Sequence, residues 1–194
     1  MALPGSLSAD PTSPPPWGDW MVEAVRSADA LIRSESAADP ERTGMGTTLT
    51  ALLLAADGRA VIAHVGDSRG YLYQDRQLAQ LTRDHTWVQA QVDAGALLPG
   101  DAQGHPWAHV LSQALGVGEP PMRDVVEVEA RAGQVYLLCS DGLTTMLPDV
   151  AIERTLQDAL PKGLDAAARA LVDAANDRGG LDNITVVLVA LEPS

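Results

Sequence analysis

Four apolar runs in the first half of the chain follow one another almost without interval. They cover residues 49–55, 60–65, 70–73 and 77–81. Asp57-Gly58 joins the first two, Gly66-Asp67-Ser68-Arg69 interrupts before the third, and Asp75-Arg76 lies between the third and fourth. Asp-Gly between apolar runs is a strong short-range hairpin signal, because Gly accepts positive φ without steric cost. The region reads as an antiparallel meander. That reading commits the chain to antiparallel sheets.

The remaining segments fit around this block. Over residues 17–34, Trp20, Met21, Ala24, Val25, Ala28, Leu31 and Ile32 recur at helical spacing. Asp39-Pro40 ends that helix. Thr86 with Gln89 forms a capping-box pattern opening a short helix, with Val88 and Val92 inward. Pro99, Gly100, Gly104 and Pro106 mark residues 96–109 as a loop. Strands resume at 125–128 and 134–139, Pro148-Asp149 opens a helix, residues 164–175 form another, and a strand follows Asn183. Residues 1–16, rich in Pro, Ser and Ala, read as a disordered or loop-like lead. Residues 17–194 read as one domain, with no internal repeat and no linker that would divide residues 40–194. The order lacks regular strand-helix alternation and predicts an α+β fold, with antiparallel sheets covered by helices.

The chain has 194 residues, 46% hydrophobic, enough for a full core or a large part of one. Its formal net charge of -13 repels a nucleic-acid backbone and draws cations, so no nucleic-acid partner is expected. Cys139 is the single cysteine, which excludes an intrachain disulfide and a Cys-rich zinc site. No apolar stretch approaches a membrane span, and the start lacks the basic flank and apolar core of a signal peptide. The expected compartment is the cytoplasm, with no membrane association.

Two acidic motifs stand near the C-terminus. Ser140-Asp141-Gly142-Leu143 follows the apolar run 135–139, and Gly180-Leu181-Asp182-Asn183 precedes the run 184–189. Each aspartate stands at one end of what reads as a buried strand. A carboxylate there projects from a rigid edge and can hold a hard divalent cation. Asp-Gly and Asp-Asn are also ordinary turn pairs.

Five motifs occur in order: Gly44-Met45-Gly46-Thr47-Thr48, His64-Val65-Gly66-Asp67-Ser68-Arg69-Gly70-Tyr71, Leu81-Thr82-Arg83-Asp84-His85, Ser140-Asp141-Gly142-Leu143, and Gly180-Leu181-Asp182-Asn183-Ile184-Thr185. Together they resemble the metal-dependent serine/threonine protein phosphatases of the PPM type, also called type 2C, in their bacterial form. The resemblance implies an antiparallel β-sandwich covered by helices on both sides, a four-layer αββα fold. It implies Mn2+ or Mg2+ as cofactor, and hydrolysis of phosphoserine and phosphothreonine by a metal-activated water, with no catalytic side chain. Asp141 and Asp182 would be ligands of a core metal, Asp67 the carboxylate of a weaker third site, and residues 96–109 a flap beside the cleft. The implied partners are phosphorylated proteins, with a bacterial serine/threonine kinase or its substrates among them.

The sequence also departs from the family. The family pattern has a first strand with a phosphate-binding Arg and an acidic ligand, then an Asp-Gly-x-Gly-Gly whose aspartate bridges two metals. Neither occurs here: Asp57-Gly58 continues as Arg59-Ala60-Val61, and Gly179-Gly180 belongs to the last motif. The fold is therefore expected to be N-terminally incomplete. A fragment, a natural short form completed by another chain, and a non-catalytic pseudophosphatase or regulatory binding module are the competing readings. Survival of both the Asp141 and Asp182 motifs favours the fragment.

Other residues have plainer readings. Asp67 reads equally well as the cap of a turn between strands. Arg69 is expected to pair with a nearby carboxylate rather than clamp phosphate. His64 and His85 read as structural, and His105 and His109 as loop residues without a supported role. Trp17 and Trp20 are expected to anchor the core. Gly44-x-Gly46 leads into a strand, so the dinucleotide fingerprint fails, and Ser140 lacks the Gly-x-Ser-x-Gly elbow.

Overall fold

The computed structural model describes residues 16–102, 104–120 and 124–192. The lead predicted at 1–16 lies outside them, except for Pro16 at the N-cap of the first helix. That helix, α1, spans Trp17–Ala38 and stops at Asp39, whose backbone is extended. The Asp39 carboxylate accepts from the Glu41 N–H at 3.0 Å and caps a 3-10 turn, Pro40–Arg42. The extended backbone ahead of Pro40 is what its ring requires.

Two antiparallel sheets follow. The first contains β1 (Leu49–Leu54), β2 (Arg59–Val65) and β5 (Val125–Glu129), in the order β1-β2-β5. The second contains β3 (Arg69–Gln74), β4 (Gln77–Gln80), β6 (Val135–Cys139) and β7 (Val186–Ala190), in the order β4-β3-β6-β7. The predicted meander is thus corrected: β2 and β3 do not pair. Residues 66–68 carry the chain from one sheet to the other. Gly66 makes the step, with φ +110 and no room for a Cβ, which would stand 2.3 Å from Thr48 Cγ2. The flanking hairpins form as expected, the β3–β4 turn using positive φ at Asp75 and Arg76.

Alternation along the strands builds the layers. Ala63 and Val65 of β2 pack with Val25 of α1 and with Leu115. Ile62 and His64 point the other way, and Ile62 Cδ1 and Leu138 Cδ2 converge on Gly70. Tyr71, Tyr73, Val135, Leu137 and Cys139 form the opposite face of the second sheet. They pack against α5 (Asp149–Ala159) and α6 (Leu164–Asn176) through Ile152, Leu156, Ala167, Leu171 and Ala175. The order helix, sheet, sheet, helix is the α+β four-layer sandwich predicted. Helices α2 (Trp87–Asp93) and α3 (Pro99–Ala102) lie between the halves of the chain, and the single turn α4 (Asp141–Thr144) had no sequence signal of its own. Only half of the predicted capping box forms: Thr86 Oγ1 accepts from Gln89 N at 3.2 Å, while the Gln89 amide turns to Asp93.

Two further expectations fail. β7 is not a buried strand: Val187 is 47% exposed, because among the described residues β7 pairs on one side only. Trp17 and Trp20 do not anchor the core. Trp20 is 46% exposed, the two rings meet edge to face at 4.9 Å, and Trp17 Nε1 donates to Asp57 Oδ2 at 3.0 Å. They pin the start of α1 to the β1–β2 turn instead. No helix among the described residues is long and apolar enough to cross a membrane.

Candidate metal centre

The two C-terminal acidic motifs are braced against each other. β6 ends at Cys139, and Ser140 N donates to the Thr185 carbonyl at 3.1 Å. Ser140 Oγ donates to the Asn183 carbonyl at 3.1 Å and accepts from Thr185 N at 3.0 Å. A Cβ on Gly142 would lie 2.3 Å from the Asn183 carbonyl oxygen, so only glycine admits this approach. Asp141 and Asp182 are thereby set on adjoining strand ends, as expected. Asp182 is exposed, and its Oδ1 accepts from Asn183 N at 2.7 Å.

The side chains that converge are a different set. One carboxylate oxygen of Asp67, one of Asp141 and a ring nitrogen of His109 all lie within 4.8 Å of one another. Asp182 is not part of this set. Asp67 and Asp141 are half-buried and His109 is exposed. Burial, and next the facing Asp141 carboxylate, push the Asp67 carboxyl above its ordinary range. Among the described residues no arginine or lysine forms an ion pair with Asp67 or Asp141. Two half-buried carboxylates facing each other without a counter-charge are a donor set that a divalent cation fits.

The crossover that carries Asp67 is clamped on both sides. The Gly66 carbonyl accepts from His85 N at 2.7 Å and from His64 Nε2 at 2.9 Å. Gly66 N donates to His85 Nδ1 at 3.2 Å, which leaves the His85 proton on Nε2, donated to Asp124 at 2.9 Å. Burial, followed by the neighbouring His85 ring, holds the His64 imidazole below its ordinary value. His64 Nδ1 lies 2.9 Å from the Thr50 hydroxyl, which itself donates to the Ser68 carbonyl at 2.9 Å. Beyond Asp67, Thr48 Oγ1 and Ser68 Oγ are 2.8 Å apart, and Arg69 is taken up by Asp84. His64, His85 and Arg69 are structural, as the sequence predicted.

His109 is the residue that sequence reasoning missed. It lies in a segment without periodicity, and nothing local links it to Asp67 or Asp141. Its backbone is nevertheless held. Val110 N donates to the Trp107 carbonyl at 3.1 Å, the Val110 carbonyl accepts from Trp87 N at 2.8 Å, and Thr86 and Leu111 form an antiparallel bridge. Trp87 supports the segment further, stacking on His105 at 5.5 Å and meeting Trp107 edge to face at 4.7 Å. The only available signal was the placement of 96–109 beside the cleft.

The chain as a whole is similar to known proteins. The sequence model of the family Protein phosphatase 2C matches residues 14–91. The serine/threonine protein phosphatase PstP of Mycobacterium tuberculosis is 42% identical over 176 residues, 89% of this chain and 33% of that protein. The serine/threonine phosphatase stp of Listeria monocytogenes is 39% identical over 170 residues, 88% of this chain and 66% of that protein. The chain thus spans a third of the mycobacterial relative and 66% of the listerial one. The crystal structure of the M. tuberculosis phosphatase PstP/Ppp superposes with a TM-score of 0.82 at 42% identity, over 88% of this chain and 71% of that one. The catalytic domain of PstP, solved in complex with two manganese ions, superposes with a TM-score of 0.78 at 39% identity, over 94% and 75% of the two chains. With its fold, its motif order and these likenesses together, the chain belongs to the protein phosphatase 2C, or PPM-type, family of serine/threonine phosphatases in its bacterial form.

Proposed function

We propose that this chain carries the chemistry of its family, the divalent-cation-dependent hydrolysis of phosphoserine and phosphothreonine in proteins. The observation that carries the reading is the convergence of the Asp67 and Asp141 carboxylates, with neither of which an arginine or lysine pairs among the described residues. Asp141 and Asp182 would hold a core cation and Asp67 would help hold a further one. Oxygen donors suit Mn2+ or Mg2+, and manganese is the ion in the PstP complex. A bound divalent ion neutralises phosphate oxygens and makes water acidic enough to act near neutral pH. The protein's own part is to fix the carboxylates on rigid strand ends, which Ser140, Gly142 and the His64–His85 clamp do. No side-chain nucleophile is required.

The sequence as given contains no Asp-Gly-x-Gly-Gly. A complete two-metal set therefore needs a carboxylate from elsewhere, and turnover by this chain alone is expected to be slow or nil. The same observation favours a second reading, a non-catalytic binding module on the phosphatase fold. Phosphorylated proteins, including a bacterial serine/threonine kinase or its substrates, are the proposed partners, and the cytoplasm the proposed compartment. The test is hydrolysis of p-nitrophenyl phosphate and a phosphothreonine peptide with Mn2+, before and after a chelator. Slow, chelator-sensitive turnover lost in Asp141→Asn supports the enzyme reading. Tight phosphopeptide binding with no turnover at any Mn2+ concentration supports the module. Turnover untouched by chelator or by Asp141→Asn overturns the metal reading.

A further inference from the structure

Three ligand-bearing side chains meet at one end of the sandwich, each from a different part of the chain. Asp67 comes from the crossover between the sheets, Asp141 from the end of β6, and His109 from the segment bridged to Thr86. Ligand atoms on a common ion at about 2.1 Å lie roughly 3–4 Å apart. The observed separations, all within 4.8 Å, close to that span by small side-chain rotations. Among the described residues the His109 ring has no hydrogen-bond partner or ring stacking that would hold it elsewhere. Its backbone, by contrast, is fixed on both sides, at Trp107–Val110 and at Trp87–Val110. An imidazole so placed, on a fixed backbone beside two carboxylates that no arginine or lysine among the described residues pairs with, is a ligand in waiting.

We propose that His109 is the third protein ligand of a cation site formed with Asp67 and Asp141, and that its nitrogen turns this site from magnesium toward borderline transition ions such as Co2+ and Zn2+. Magnesium prefers an all-oxygen shell and keeps several waters, whereas imidazole suits zinc, cobalt and nickel and raises affinity along the first-row series. Two carboxylates and one imidazole also match the donor count of an open site, with positions left for water or a phosphate oxygen. The inference rests on the metal reading above, but not on catalysis. It also ties residues 104–109 to the crossover, because filling the site draws the two segments onto one ion.

The test is calorimetric titration of the full chain with Co2+, Zn2+ and Mg2+, with Co2+ absorption spectra recorded alongside. His109 is exposed, so His109→Ala is expected to keep the fold, checked by its melting curve. The expected result is a loss of about tenfold or more in Co2+ and Zn2+ affinity, with Mg2+ affinity unchanged within about twofold, and a change in the Co2+ spectrum on loss of nitrogen ligation. Unchanged Co2+ affinity and spectrum in His109→Ala, with one binding phase lost in Asp67→Asn and all binding lost in Asp141→Asn, overturns the role of His109 and leaves the metal reading standing. Binding unchanged in all three variants overturns both.

Discussion

Arg69 holds Asp84 through two parallel charge-assisted bonds, Nε to Oδ1 at 2.8 Å and Nη2 to Oδ2 at 2.7 Å. The remaining Nη1 donates to the Tyr71 hydroxyl at 3.1 Å. The guanidinium two residues beyond Asp67 is therefore committed to tying β3 to the segment that leads into α2, and is not available to phosphate. Arg69→Ala is expected to cost roughly 2–3 kcal/mol of stability, between the values for exposed and fully buried pairs, because Asp84 is left largely buried without its partner. Arg69→Lys should recover only part of this, since an ammonium cannot span both oxygens. Urea denaturation measures both. Phosphate or phosphopeptide binding should stay as in the parent; its selective loss with stability intact would make Arg69 a substrate residue after all.

Substitution of the three aspartates should separate two cation sites. Asp141→Asn is expected to remove measurable Mn2+ binding altogether, because Asp141 belongs to both proposed sites. Asp182→Asn should abolish one binding phase and Asp67→Asn the other. Calorimetry on the three variants checks this. Parent-like binding in Asp141→Asn would sink the assignment.

Stability should depend on pH through His64. Its folded-state value is lowered by burial, then by His85, while Asp124, Asp84 and the Gly66 carbonyl act in the opposite direction. The unfolded chain binds a proton at about 6.5 that the folded chain resists, so stability is full above that value and declines as pH falls through it. Denaturation midpoints between pH 8 and 5 should drop toward the acid end. His64→Gln should flatten this dependence. A parent-like slope in that variant would assign the effect to another group.

The free edge of the second sheet should promote self-association. Among the described residues, β7 offers an unpaired backbone edge, and Val187 is an exposed apolar side chain on it. Such an edge recruits further strands. Sedimentation of the purified chain is expected to show oligomers or aggregates that diminish in Val187→Lys. A monomer with a sharp, high-temperature melt in the parent would refute the argument.

The legible part of this protein was the part written in local patterns. The α1 stripe, the Asp57-Gly58 and Asp75-Arg76 turns, and the carboxylate motifs at strand ends all follow from period and turn chemistry. The passage from sheet to sheet did not, because three residues with one glycine look alike whether the next strand pairs or crosses. The exposure of β7 escaped for a related reason: an apolar strand reads as buried whether or not a neighbour covers it. Trp17 and Trp20 were misplaced because ring size predicts burial on average, while one indole N–H and one turn aspartate decided the matter here. His109 was illegible, since its relation to Asp67 and Asp141 exists only after both sheets and the intervening segment have assembled.

The contact of Gly142 with the Asn183 carbonyl has a consequence for anyone redesigning this protein. Randomising position 142 should return glycine almost alone, whatever property is selected, because every other residue adds an atom 2.3 Å from a backbone oxygen. Positions around it can drift, yet this one acts as a spacer of fixed zero length between the two acidic motifs. Changing the distance between Asp141 and Asp182 would require rebuilding a strand end, not exchanging a side chain.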